Sequence, residues 1–128
     1  MRFKVGKLIR DRLPAMMRAQ GLAVFERRLD DGEFLDALKD KLLEEAAEVR
    51  EAPPAEIAGE LADVLEVARA LAEVHGIAWD EVEARRIAKR AERGGFDERV
   101  FNAAVEAQDG LPAAEYYLAR PGQYPRED

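Results

Sequence analysis

A chain of 128 residues has the length of one domain and can bury a core without cross-links, and the absence of cysteine excludes disulfides and thiolate metal sites. With 37% charged residues and a net charge of −7, it is a poor binder of nucleic-acid backbones, which favour a basic face. No apolar run approaches the ~20 residues that span a bilayer, and residues 1–14 hold no long apolar segment or cleavage site. The expected setting is the cytoplasm, with neither a membrane nor a nucleic-acid polymer as partner.

In chain order, the first expected element is a short helix over 14–20, with Pro14 in its first turn and Gly21 at its end. Residues 24–29 are too few to assign, and an edge strand paired with 3–8 is the open option. A long helix starts near Asp30, where Asp30 and Glu33 have capping-box spacing. Leu35, Leu38, Leu42, Ala46 and Val49 then recur at helical spacing until Pro53 and Pro54 stop the helix. The next helix begins at Pro54 and Ala55 and runs to about His75, with Gly76 as a left-handed cap. A third starts at Asp80, again with a Glu three residues on, and ends at Gly94 and Gly95. Residues 111–118 fit a short helix, and 120–128 fit a loose tail. The expected fold class is all-α, an antiparallel helical bundle with room for a short N-terminal β element. One domain fills 1–128, with a core over 5–104 and a C-terminal extension over 105–128.

At about 100° per residue, the helix that begins at Pro54 carries Ile57, Leu61, Val64, Leu65, Ala68, Leu71 and Ala72 as its core stripe. Val67, Ala70 and Val74 widen the apolar arc to roughly 220°, far more than a one-sided surface helix shows. Glu60 and Asp63 fall inside that arc, one turn apart. Ionised carboxylates among apolar neighbours are costly, and two of them repel, so such a patch requires a cation. Basic side chains or a wet helix side are the alternative. On the preceding helix, Glu45 borders the leucine stripe and Glu48 lies one turn on, with Lys41 and Glu44 on the same flank. Taken alone, that stretch reads as an exposed face laced with ion pairs.

The combination is more specific. Two helices joined by a short Pro-Pro turn are antiparallel neighbours, and each brings two carboxylates three residues apart. Oxygen-only ligation selects Mg²⁺, with Mn²⁺ able to substitute, over zinc. The single histidine, His75, sits at a helix end and suits a C-terminal cap.

The pattern Glu45-x-x-Glu48, eleven residues, then Glu60-x-x-Asp63 resembles the signature of the all-α NTP pyrophosphatase superfamily, which includes MazG-like proteins and phosphoribosyl-ATP pyrophosphohydrolases. Within it, the chain is most similar to predicted house-cleaning NTP pyrophosphatases. They share an opening like Lys7-Leu-Ile-Arg10-Asp11-Arg12-Leu-Pro14 and a segment like Lys89-x-x-Glu92-Arg93-Gly94-Gly95-Phe96. The resemblance covers about residues 5–101. It implies that Glu45, Glu48, Glu60 and Asp63 bind Mg²⁺ and that Lys89 and Arg93 contact a triphosphate. Lys41, Lys7, Arg10 and Asp11 join them as substrate-binding candidates. Glu44, the spare carboxylate, is the candidate for positioning or deprotonating the attacking water.

The resemblance also implies the activity: a nucleoside triphosphate is cleaved to the monophosphate and pyrophosphate, as house-cleaning of modified or surplus nucleotides. Phosphoribosyl-ATP pyrophosphohydrolase is an alternative with the same carboxylates, and a non-catalytic helical interaction module is another. The broad apolar arc of the Pro54 helix calls for more than one neighbour, so a homodimer or larger homo-oligomer is expected.

Overall fold

A computed structural model describes residues 1–128. It contains five α-helices and no strand: α1 (Leu13–Ala19), α2 (Asp31–Glu51), α3 (Ile57–Val74), α4 (Trp79–Arg93) and α5 (Pro112–Leu118), with a 3₁₀ turn, Pro54–Glu56, between α2 and α3. The all-α class is therefore as expected. No helix is long and apolar enough to cross a membrane. The chain divides into two compact units, Met1–Glu92 and Arg93–Asp128.

In the first unit, α2 is started by the expected capping box. Asp30 Oδ1 accepts the Glu33 backbone N–H at 2.8 Å, and the Glu33 carboxylate reaches back to the Asp30 N–H. Arg27 also grips Glu33 at 2.6 Å, and this bond is the main reason the Glu33 carboxyl falls from its ordinary 4.5 to about 2. Its folded form holds the proton less tightly than the unfolded chain. The stability it supplies is complete above 4.5 and drains away as pH falls toward about 2. Glu33→Gln should flatten the acid limb of a melting-temperature profile over that window, whereas a profile parallel to wild type would show that the cap and ion pair contribute nothing.

The N-terminal β option is not taken up. Residues 22–30 form no strand, because so short a hairpin does not support itself and side chains tie the segment down instead. Arg18 donates to the Val24 carbonyl at 3.1 Å and pairs with Glu26 at 2.7 Å, and the Arg2 guanidinium lies 4.4 Å from the Phe25 ring centroid. A second correction concerns α4. It begins at Trp79, so Asp80 lies inside the first turn, and Glu83 pairs with Arg86 in place of capping the helix. His75 is the C-cap of α3, and Gly76 follows in the left-handed region at φ +67°.

The core of this unit is a helical hairpin in which α2 packs along α3. Leu38 on α2 and Val67 and Ala72 on α3 are buried. The buried faces are rotated from the expected stripes. On α2 the inward row runs through Leu38, Leu42 and Glu45, while Ala46 is exposed. On α3 the row runs through Glu60, Val64, Val67 and Leu71, and Leu61 and Leu65 stand about half exposed at 52% and 49%. Only one side of α3 meets α2, and Leu61 and Leu65 on the other side of its apolar arc stand exposed.

The second unit is built on α5, whose Ala114 is buried. The expected loose tail is partly ordered: the Tyr124 N–H bonds the Arg120 carbonyl at 2.8 Å and folds the chain back. This sets Tyr124 edge-on to Tyr117 at 4.9 Å between centroids, and Arg120 lies 3.9 Å over the Tyr116 ring.

Candidate metal centre

The hairpin register builds the site. Glu48 lies three residues before Glu51, the end of α2, and Glu60 lies three residues after Ile57, the start of α3. Glu45 and Asp63 each lie six residues from the same two ends. In an antiparallel pair, residues equally far from the turn stand at the same level, and a three-residue step returns nearly to the same face. The two pairs therefore face each other: one carboxylate oxygen from each of Glu45, Glu48, Glu60 and Asp63 lies within 4.8 Å of all the others.

Burial sharpens the electrostatics. Glu45 is only 6% exposed, and its Oε2 and that of Glu60 are buried with no hydrogen-bond partner. An orphaned buried acceptor costs about 1–3 kcal/mol, more when charged. Burial first, and then the neighbouring Glu48 carboxylate, push the Glu45 carboxyl above the usual carboxylate range. Four hard oxygen donors, two with unused lone pairs turned away from water, fit a divalent cation such as Mg²⁺ or Mn²⁺.

Three cations flank the cluster. Half-buried Leu8 and Ile9 hold the N-terminal segment, with Lys7 and Arg10 on either side of them. Arg10 Nη2 lies 2.7 Å from Asp63 Oδ1, and Lys7 Nζ lies 3.0 Å from Glu44 Oε1. Lys41 Nζ sits between Glu44 at 3.5 Å and Glu45 at 3.4 Å. The hydrogen bond from Lys7 is the main reason the Glu44 carboxyl lies below its usual range. Around the site, the carboxylates of Glu44, Glu45, Glu48, Glu60 and Asp63 outnumber the cations Lys7, Arg10 and Lys41 by two, the charge of one divalent ion.

The structure thus brings together Glu44, Glu45, Glu48, Glu60, Asp63, Lys41, Lys7 and Arg10. It does not bring Asp11 or Lys89 into that set: both are exposed and form no ion pair, and Arg93, also exposed, belongs to the second unit. On α4, Arg85 and Arg86 are paired within the helix to Glu81 and Glu83. Sequence reasoning placed Lys7 and Arg10 near substrate and missed their direct pairing with Glu44 and Asp63. Two basic residues flanking an apolar Leu-Ile pair were the available signal.

Facing helices that converge four carboxylates in this way make an all-helical protein with a candidate divalent-cation site. The profile of the phosphoribosyl-ATP pyrophosphohydrolase family matches residues 16–90, more than half of the chain, and the chain belongs to that family. By its description this is a family of pyrophosphohydrolases. The matched stretch contains all four clustered carboxylates, Lys41, Glu44 and Lys89, and leaves Lys7, Arg10, Asp11 and Arg93 outside. An uncharacterized protein of Mycolicibacterium smegmatis is 46% identical over 48 residues, which is 38% of this chain and 49% of that protein. The chain therefore spans about half the length of this curated relative. No solved structure matches it.

Proposed function

We propose that the chain is a Mg²⁺-dependent nucleotide pyrophosphohydrolase that cleaves a nucleoside triphosphate to the monophosphate and pyrophosphate. The observation that carries this reading is the set of four carboxylates within 4.8 Å, with Glu45 and Glu60 oxygens buried and unpartnered. When bound, the divalent cation offsets negative charge on the phosphates and on the transition state. Glu45, Glu48, Glu60 and Asp63 hold it, and Lys41 keeps part of the cluster neutral until then. Water attacks the α-phosphorus, the α–β anhydride breaks, pyrophosphate leaves and a proton is released. Glu44 orients that water. Its lowered pKa makes it a weak base but a dependable ionised acceptor. Arg10, exposed beside Asp63, is the proposed contact to the phosphate tail, and Lys89, on α4 of the same unit, is a second.

The test is product analysis with a nucleoside triphosphate panel and Mg²⁺. Pyrophosphate should appear and vanish in Glu60→Gln. Orthophosphate alone, unaffected by that change, would overturn the reading. A second reading is favoured by the family match itself: phosphoribosyl-ATP as the substrate. The house-cleaning reading rests on the opening around Lys7–Pro14 and on Arg93-Gly94-Gly95-Phe96, which lie outside the matched residues. Direct competition between phosphoribosyl-ATP and the triphosphate panel separates the two.

The assembly we infer is a homodimer or larger homo-oligomer that covers the open side of α3. Leu61 and Leu65 stand exposed there, at 52% and 49%. Light scattering should give at least twice the monomer mass, and Leu61→Glu with Leu65→Glu should return the protein to a monomer. A wild-type monomer would rule the assembly out.

A further inference from the structure

We propose that Arg10 is a counterion switch: it neutralises Asp63 in the metal-free protein, yields Asp63 to an entering divalent cation, and then turns its guanidinium to the phosphates of the nucleotide. The proposal rests on the pyrophosphohydrolase reading above and adds to it a coupling between metal and substrate. Arg10 lies 2.7 Å from Asp63 Oδ1 and so occupies one of the carboxylates that the cluster needs. The same negative charge cannot serve the guanidinium and a cation in full, so each weakens the other. The buried, unpartnered oxygens of Glu45 and Glu60 show that the cluster is short of positive charge even with Arg10 in place. Arg10 relieves only its rim, where Asp63 is 40% exposed.

Arg10 is also free to move. Its side chain is 57% exposed and lies ahead of α1, in a segment held by half-buried Leu8 and Ile9. Release from Asp63 disturbs no helix. A displaced guanidinium beside the cluster is a planar fork matched to phosphate oxygens. Phosphate that captures Arg10 keeps it off Asp63, so metal and substrate strengthen each other's binding, as linkage requires. Lys7 does not share this role, because its ion pair is with Glu44, which is not one of the four clustered carboxylates. Arg10 lies outside the family-matched residues 16–90.

Isothermal titration of the full chain with MgCl₂ alone, and then with magnesium pyrophosphate, tests the switch without any turnover. Arg10→Ala should bind Mg²⁺ about fivefold more tightly than wild type, the size expected from losing one exposed competing ion pair. It should bind magnesium pyrophosphate about tenfold more weakly. Arg10→Gln, checked by circular dichroism, should repeat both shifts. Arg12→Ala removes an equal charge two residues away and should change neither. Unchanged or weaker Mg²⁺ binding by Arg10→Ala overturns the switch, as do equal shifts in Arg12→Ala, which would mark a general field effect. Tighter Mg²⁺ binding with normal pyrophosphate affinity overturns it too, leaving Arg10 a fixed counterion. If wild type shows no saturable Mg²⁺ binding sensitive to Glu60→Gln, the pyrophosphohydrolase reading itself fails and takes the switch with it.

Discussion

Exchanging Glu45 for glutamine is expected to slow pyrophosphate release by at least about 100-fold while making the metal-free protein more stable. Loss of even an outer-sphere partner of a metal ligand costs about 10–100-fold, and Glu45 is placed to ligate directly. The opposite sign on stability follows from its surroundings. Glu45 is 6% exposed, has an unpartnered Oε2, and is pushed toward its protonated form by burial and by Glu48. The neutral amide keeps the shape and removes a buried charge, worth about 1–3 kcal/mol. For a domain of this size that raises the melting temperature by about 4 °C per kcal/mol. Activity lost together with stability would instead make Glu45 a structural anchor for Lys41, and its role in the metal centre would have to be abandoned.

The second large effect is the response to the ion. Mg²⁺ at about 100 times its dissociation constant should stabilise the native state by about 2.7 kcal/mol, a rise of about 10 °C in melting temperature at the same conversion. EDTA should reverse it, and Glu60→Gln should abolish it. Differential scanning calorimetry reads this directly. An equal rise in wild type and Glu60→Gln would mean nonspecific screening of an acidic protein. No rise in either would favour a helical interaction module without catalysis.

Much of the fold is legible in the sequence because its punctuation is local. The Asp30–Glu33 box, the Pro53-Pro54 stop and Gly76 act through backbone bonds within a few residues, and each falls where expected. The rotation of the buried faces was not legible. Whether Leu61 or Glu60 points inward depends on which side α2 presses against, and the helical wheel of α3 is apolar on both. The Asp80–Glu83 spacing misled because α4 begins one residue earlier, at Trp79, which puts Asp80 inside the first turn and leaves Glu83 to pair with Arg86. At the candidate site, the carboxylate spacing carried through because hairpin register is simple geometry. The pairing of Arg10 with Asp63 spans 53 residues, which no local pattern encodes.

The mirrored placement of the two carboxylate pairs about the Pro53–Pro54 bend makes the connector a hidden part of the chemistry. One codon inserted or deleted between Ala52 and Ile57 would leave every acidic residue present, yet turn or slide one helix by a residue, about 100° and 1.5 Å. Gene variants of altered connector length should therefore retain the ExxE and ExxD text while losing the centre it spells.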